Sequence, residues 1–144
     1  MPVTAPEFGR RAFLLGLSLP LFAGPHQEVL DVLTALASAL SEGNGLAFLD
    51  FVDHSMPEYE KLQRNIQALA SQNEVLSAID VLDETGDDQK QAVEVDWVLQ
   101  IRSREQSGPL VRRRQTIKVV LERAKKKKWK VVSLDPVDFF APRA

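Results

Sequence analysis

The sequence predicts an α+β domain, with three N-terminal helices packed on a strongly curved antiparallel sheet of about four strands. Three observations carry this. Apolar residues recur at helical spacing as far as about residue 70. From Glu74 the period falls to two. Short turn clusters, rather than crossover helices, then separate the alternating stretches, so helices come first and strands follow.

Helix 1 is expected from about His26 to Leu40. Val29, Leu30, Val32, Leu33, Leu36, Ala37 and Leu40 share a face, and Gly43-Asn44-Gly45 ends it. A short second helix fits Leu46 to Phe51. The third is expected to open on a Ser55-x-x-Glu58 capping box with Pro57 in the first turn, where a missing N–H costs nothing. Its apolar face is Tyr59, Leu62, Ile66, Leu69 and Ala70, and Gln72-Asn73 marks its end.

A first strand follows over about Val75 to Asp83, with a turn at Thr85-Gly86-Asp87-Asp88. The second has the clearest alternation: Val93, Val95, Trp97, Leu99 and Ile101 face one way. Gln106-Ser107-Gly108-Pro109 turns the chain into a third strand, Val111 to Arg123, which buries Ile117, Val119 and Leu121. Lys125 to Lys128 turn it again into a last strand, Trp129 to Leu134. Val137, Phe139 and Phe140 then pack back on the body, and residues 141–144 form a frayed tail.

Composition narrows the function classes. The absence of Cys removes disulfides, thiolate metal sites, cysteine nucleophiles and lipid attachment through a signal cysteine. No Gly-x-Ser-x-Gly, P-loop or dinucleotide fingerprint occurs, and two histidines without ligand spacing suggest no metal and no cofactor. The net charge of −2 hides an asymmetry. Residues 26–100 carry fifteen acids against three bases, while residues 101–130 carry two acids against twelve bases.

Residues 1–24 have the layout of an export signal: a polar start, Arg10-Arg11, and an apolar run from Ala12 to Ala23. Arg10-Arg11-Ala12-Phe13-Leu14 resembles the twin-arginine translocation signal, with Gly9 and Leu15 departing from the family pattern. That resemblance implies a protein exported to the periplasm or cell envelope. About twelve apolar residues fall short of the roughly 20 that span a bilayer. No clean Ala-x-Ala precedes Pro25, so an uncleaved, membrane-tethered form stays open.

Behind the signal, residues 25–140 resemble the NTF2-like superfamily, especially its SnoaL-like members. The carriers are the amphipathic first helix ending in Gly43-Asn44-Gly45, the helix from Leu46 to Val52, and the closing strand Trp129-Lys130-Val131-Val132-Ser133-Leu134. The resemblance implies a cone whose open end takes a small apolar molecule, and a homodimer formed through the sheet. Ketosteroid isomerases and polyketide cyclases of this kind work with buried acid–base groups whose pKa values are tuned by the apolar wall. Relatives often close the pocket with a small hairpin after the second helix. Val52 to Ser55 leave no room for it, which predicts a shallow or absent pocket.

Pocket candidates are Tyr59, Asp80 and Trp97. Tyr59 sits where it lines a cone mouth or simply packs. Asp80 shares a strand face with Leu76, Ala78 and Leu82 and reads as a pocket carboxylate or a solvated strand residue. Trp97 reads as core or pocket wall. A hairpin centred near Ser107 sets Asp96 opposite Lys118. His54 reads as a loop or capping residue. Arg112, Arg114, Lys125, Lys126, Lys127 and Lys128 are candidates for an anion-binding surface facing the envelope or an acidic partner. The competing reading is a solvated edge whose lysines block aggregation. Strand alternation sends Arg113 to the opposite face from Arg112 and Arg114. Nucleic acid is not an expected partner of an exported protein. Three readings of function follow: a non-catalytic binding module, an acid–base enzyme using Asp80 and Tyr59, or a structural envelope module held by charge.

Overall fold

The computed structural model describes residues 25–105, 109–125 and 127–142. The export-signal residues Arg10, Arg11, Phe13 and Leu14, and also Lys126, lie outside the described residues. The elements run α1 (Pro25–Ser41), α2 (Gly45–Leu49), α3 (Tyr59–Gln72), β1 (Asn73–Gly86), β2 (Lys90–Ser103), β3 (Val111–Glu122), β4 (Lys130–Asp135) and a 3₁₀ turn, Val137–Phe140. The strands form one antiparallel meander in the order β1-β2-β3-β4, with the helices packed on its concave face.

The end of α1 follows from its glycine. Gly43 takes φ 72°, so its own N–H reaches the Leu40 carbonyl at 3.1 Å and the Asn44 N–H reaches Ala39 at 2.8 Å. Those two bonds satisfy carbonyls that the helix leaves open. Asn44 then caps α2, its side-chain oxygen accepting from the Ala47 N–H at 3.0 Å.

The expected capping box of the third helix does not form. The Asp53 carboxylate accepts from both the N–H and the hydroxyl of Ser55, at 2.8 and 2.6 Å. That local turn uses up Ser55, and α3 starts four residues later. Its cap position, Glu58, has φ 63° and makes no side-chain cap bond.

Between α2 and α3 the chain runs along the outer edge of β4 instead of forming a hairpin. The Asp53 N–H donates to the Val131 carbonyl at 2.8 Å, and the Val131 N–H donates to Phe51 at 2.7 Å. This bridge covers the edge that β4 would otherwise expose.

Register sorts the side chains into two faces. Val75 pairs with Ile101, Ser77 with Leu99, Ile79 with Trp97, and Val95 with Ile117, all pointing at the helices. Val93, Val95, Trp97, Leu99, Ile101, Ile117, Val119, Leu121, Val131 and Leu134 are all buried there. Val137, Phe139 and Phe140 close the core from the C-terminal side, as expected. Gly86 turns β1 into β2 at φ 146°. A Cβ there would stand 2.1 Å from the Lys90 carbonyl oxygen, so only glycine fits.

Candidate functional site

The space between helices and sheet holds aromatic side chains. Trp97 and Phe140 meet edge to face at 4.9 Å between centroids, and Phe139 and Phe140 at 5.1 Å, while Phe48 lies tilted against Phe140 at 5.7 Å. Trp97, Phe48 and Phe140 are fully buried and Phe139 is 4% exposed. The Trp97 indole N–H donates to the Ser77 hydroxyl at 2.8 Å, so its one polar atom is satisfied. Trp97 is therefore a core residue that plugs the cone.

Asp80 is not in that interior. It pairs with Asp96 in the register, on the convex face, and is exposed. The apolar neighbours that made it a pocket candidate are themselves on the solvent side: Leu76 is 63% and Leu82 57% exposed. Tyr59 lies on the helix side, half-buried at the start of α3, with its ring 4.7 Å from that of His54. The sheet thus separates Asp80 from Tyr59 and Trp97, and the three line no common pocket.

A basic side chain does enter the cone. Arg113 faces inward opposite Leu99, while Arg112 and Arg114 face outward, as alternation predicts. Its Nη1 donates to the Phe139 carbonyl at 2.7 Å, whereas its buried Nε and Nη2 have no partner. Burial pushes the Arg113 guanidinium below its ordinary value.

The convex face carries acids on β1, mostly bases on β3, and both signs on β2 between them. Asp80 and Asp96 stand on β1 and β2, and Arg112, Arg114 and Lys118 stand on β3. Asp96 lies opposite Thr116, two residues from the expected Lys118. Its carboxylate instead takes a two-pronged contact from Arg114, at 2.7 to 3.0 Å. Those bonds hold the Asp96 carboxyl below the usual carboxylate range. Leu76, Leu82 and half-buried Val98 sit among these charges.

The lysine turn belongs to a different region. Lys127 and Lys128 line a groove of about 730 Å³ together with Lys90, Arg123, Lys130 and Asp53. Lys125 is exposed and does not line it. The proposed anion-binding residues therefore divide, with Arg112 and Arg114 on the sheet and two of the lysines in the groove. Lys90, Arg123 and Lys130 were not foreseen there. They come from separate elements, and only the pairing of Lys90 with Glu122 and of Glu122 with Lys130 brings them together.

No family model matches the sequence, and no curated protein matches it. Solved structures do match the fold. A conserved protein from Planctomyces limnophilus aligns with a TM-score of 0.68 at 7% identity, over 76% of this chain and 91% of that one. An NTF2-like superfamily protein from Salmonella enterica aligns at 0.62 with 10% identity, over 75% and 86%. A ketosteroid isomerase-like protein from Erwinia carotovora aligns at 0.61 with 8% identity, over 74% and 90%. At these identities the likeness concerns the backbone architecture, and the domain behind the N-terminal segment has the NTF2-like, cystatin-like α+β fold.

Proposed function

We propose that this protein is an exported, non-catalytic binding module that works through the convex face of its sheet, with a second copy of the chain as the partner. The observation that carries the reading is the contrast between a cone plugged by Phe48, Trp97, Phe139 and Phe140 and an outer face that exposes Leu76 and Leu82. The acid–base alternative needs Asp80 and Tyr59 in one enclosure, and they lie on opposite sides of the sheet. A two-fold axis parallel to the strands lays the β1 side of one copy over the β3–β4 side of the other. Asp80 then meets the band of Arg112, Arg114 and Lys118, which makes the face self-complementary.

Sedimentation of the full chain tests this. A particle of twice the chain mass is expected, weakening with salt and reverting to monomer in the Leu76→Asp/Leu82→Asp variant. A monomer at all concentrations overturns the reading, as does a dimer that survives both changes. Export rests on the signal layout of residues 1–24, and its route on Arg10-Arg11-x-Phe-Leu. Replacing both arginines by lysine is expected to leave the protein in the cytoplasmic fraction, and unchanged export overturns the twin-arginine route.

A further inference from the structure

The groove beside the lysine turn is built from three parts of the chain. The start of β2 supplies Lys90, the end of β3 and the turn after it supply Glu122, Arg123, Lys127 and Lys128, and the segment after α2 supplies Asp53. Its volume of about 730 Å³ is in the range of small-molecule sites.

The walls are held by bonds that do not involve the turn lysines. Arg123 donates to Glu28 of α1 at 2.9 Å and to the Asp88 carbonyl at 2.7 Å, and its guanidinium stacks 4.7 Å above the Trp129 ring. The Trp129 indole N–H donates to the same Glu28 oxygen at 3.3 Å. Arg123 thus ties the two hairpin turns together, and one carboxylate on α1 holds both Arg123 and Trp129. Lys130 donates its ammonium to the Asp50 carbonyl. Asp53 is turned onto Ser55, which holds its carboxyl below the usual range and keeps it charged.

What is left over is positive. Among the described residues, no carboxylate pairs with Lys127 or Lys128. Lys90 has only a loose contact with Glu122, at 3.7 Å. Lysines that protect a sheet edge belong on an edge strand. These two stand in a hairpin turn, and the nearby β4 edge is already covered by the bridge from Val52 to Val131. Edge protection therefore does not account for them.

We propose that this groove binds a phosphate-bearing anion, with Lys127, Lys128 and Lys90 as its ligands. The choice of phosphate follows from the donors. The groove's one guanidinium, Arg123, already has its Nε and Nη1 committed, so the ammonium groups are left as the donors. Three ammonium groups on flexible stems suit a tetrahedral oxyanion that accepts from several directions. Binding frees Lys90 from Glu122. None of its three ligands is among the residues argued above for the contact between copies.

Titration calorimetry of the full chain with pyrophosphate, alongside citrate, tests the proposal at low salt. Pyrophosphate is expected to bind more tightly than citrate. The Lys127→Gln/Lys128→Gln variant is expected to lose at least tenfold in affinity with unchanged thermal stability. Arg64→Gln, exposed on α3, is expected to bind as the parent does. Cosedimentation with phosphatidylglycerol and phosphatidylcholine vesicles separates the sources of the phosphate. Retention on the anionic vesicles that pyrophosphate displaces identifies a lipid headgroup. Pyrophosphate binding without vesicle retention identifies a soluble phosphate compound. Absence of binding to both probes overturns the proposal, as does citrate binding as tightly as pyrophosphate or full affinity in the double variant.

Discussion

The two faces of the β-sheet obey opposite rules, although one strand supplies both by simple alternation. On β2, Trp97 is fully buried in an aromatic cluster, while its neighbour Asp96 meets Arg114 on the convex side. The concave face is set by volume. Its side chains fill the space beneath α1 to α3, and the one polar handle of Trp97 is bonded. The convex face is set by charge, with apolar residues such as Leu76 left uncovered. The lesson concerns where function can sit. The interior is closed by the protein's own aromatic residues, and the uncovered charged and apolar side chains lie on the outside.

The largest test of this contrast is Trp97→Ala. Loss of a fully buried indole is expected to cost roughly 3–5 kcal/mol in denaturant unfolding. The exposed convex-face change Thr116→Ala is expected to stay within about 0.5 kcal/mol. The same Trp97→Ala variant, if it folds, sharpens the comparison, because the opened space is expected to take up a small apolar probe that the parent excludes. Equal costs at the two positions would erase the distinction between the faces.

A smaller and pH-dependent effect is expected at Asp96→Asn. Hydrogen bonds from Arg114 lower the folded-state pKa of Asp96. Its contribution is therefore complete above the unfolded carboxylate value of about 3.9 and is lost as pH falls through the lower folded value. Melting temperatures of parent and variant should differ most near neutral pH and converge in acid. A gap that widens on acidification would show that the pair does not stabilise the folded state.

Legibility in the sequence divides along the same line as the faces. The end of α1 at Gly43, the inward set on β2, the burial of Ile117, Val119 and Leu121, and the splitting of Arg113 from its neighbours were all readable, because each depends on residues close in the chain. The capping box at Ser55 was misread because Asp53, two residues earlier, competes for the same N–H and hydroxyl. Asp80 was left open between pocket and solvent because its strand carries apolar residues on both faces, so alternation could not say which face meets the helices. The partner of Asp96 turned on a register that shifts with the centre of the turn.

By itself, the sequence determined the class of fold, the order of helices and strands, the residues of the core and the lack of room for a closing hairpin. These follow from periodicity, from turn chemistry and from chain length between elements, which act over a few residues. Tertiary structure alone decided that the cone is plugged, that Asp80 faces solvent, and that Lys90, Lys127 and Lys128 share one groove. Those outcomes depend on strand register and on which surface of the sheet the helices cover, and both are settled by contacts between residues far apart in the chain.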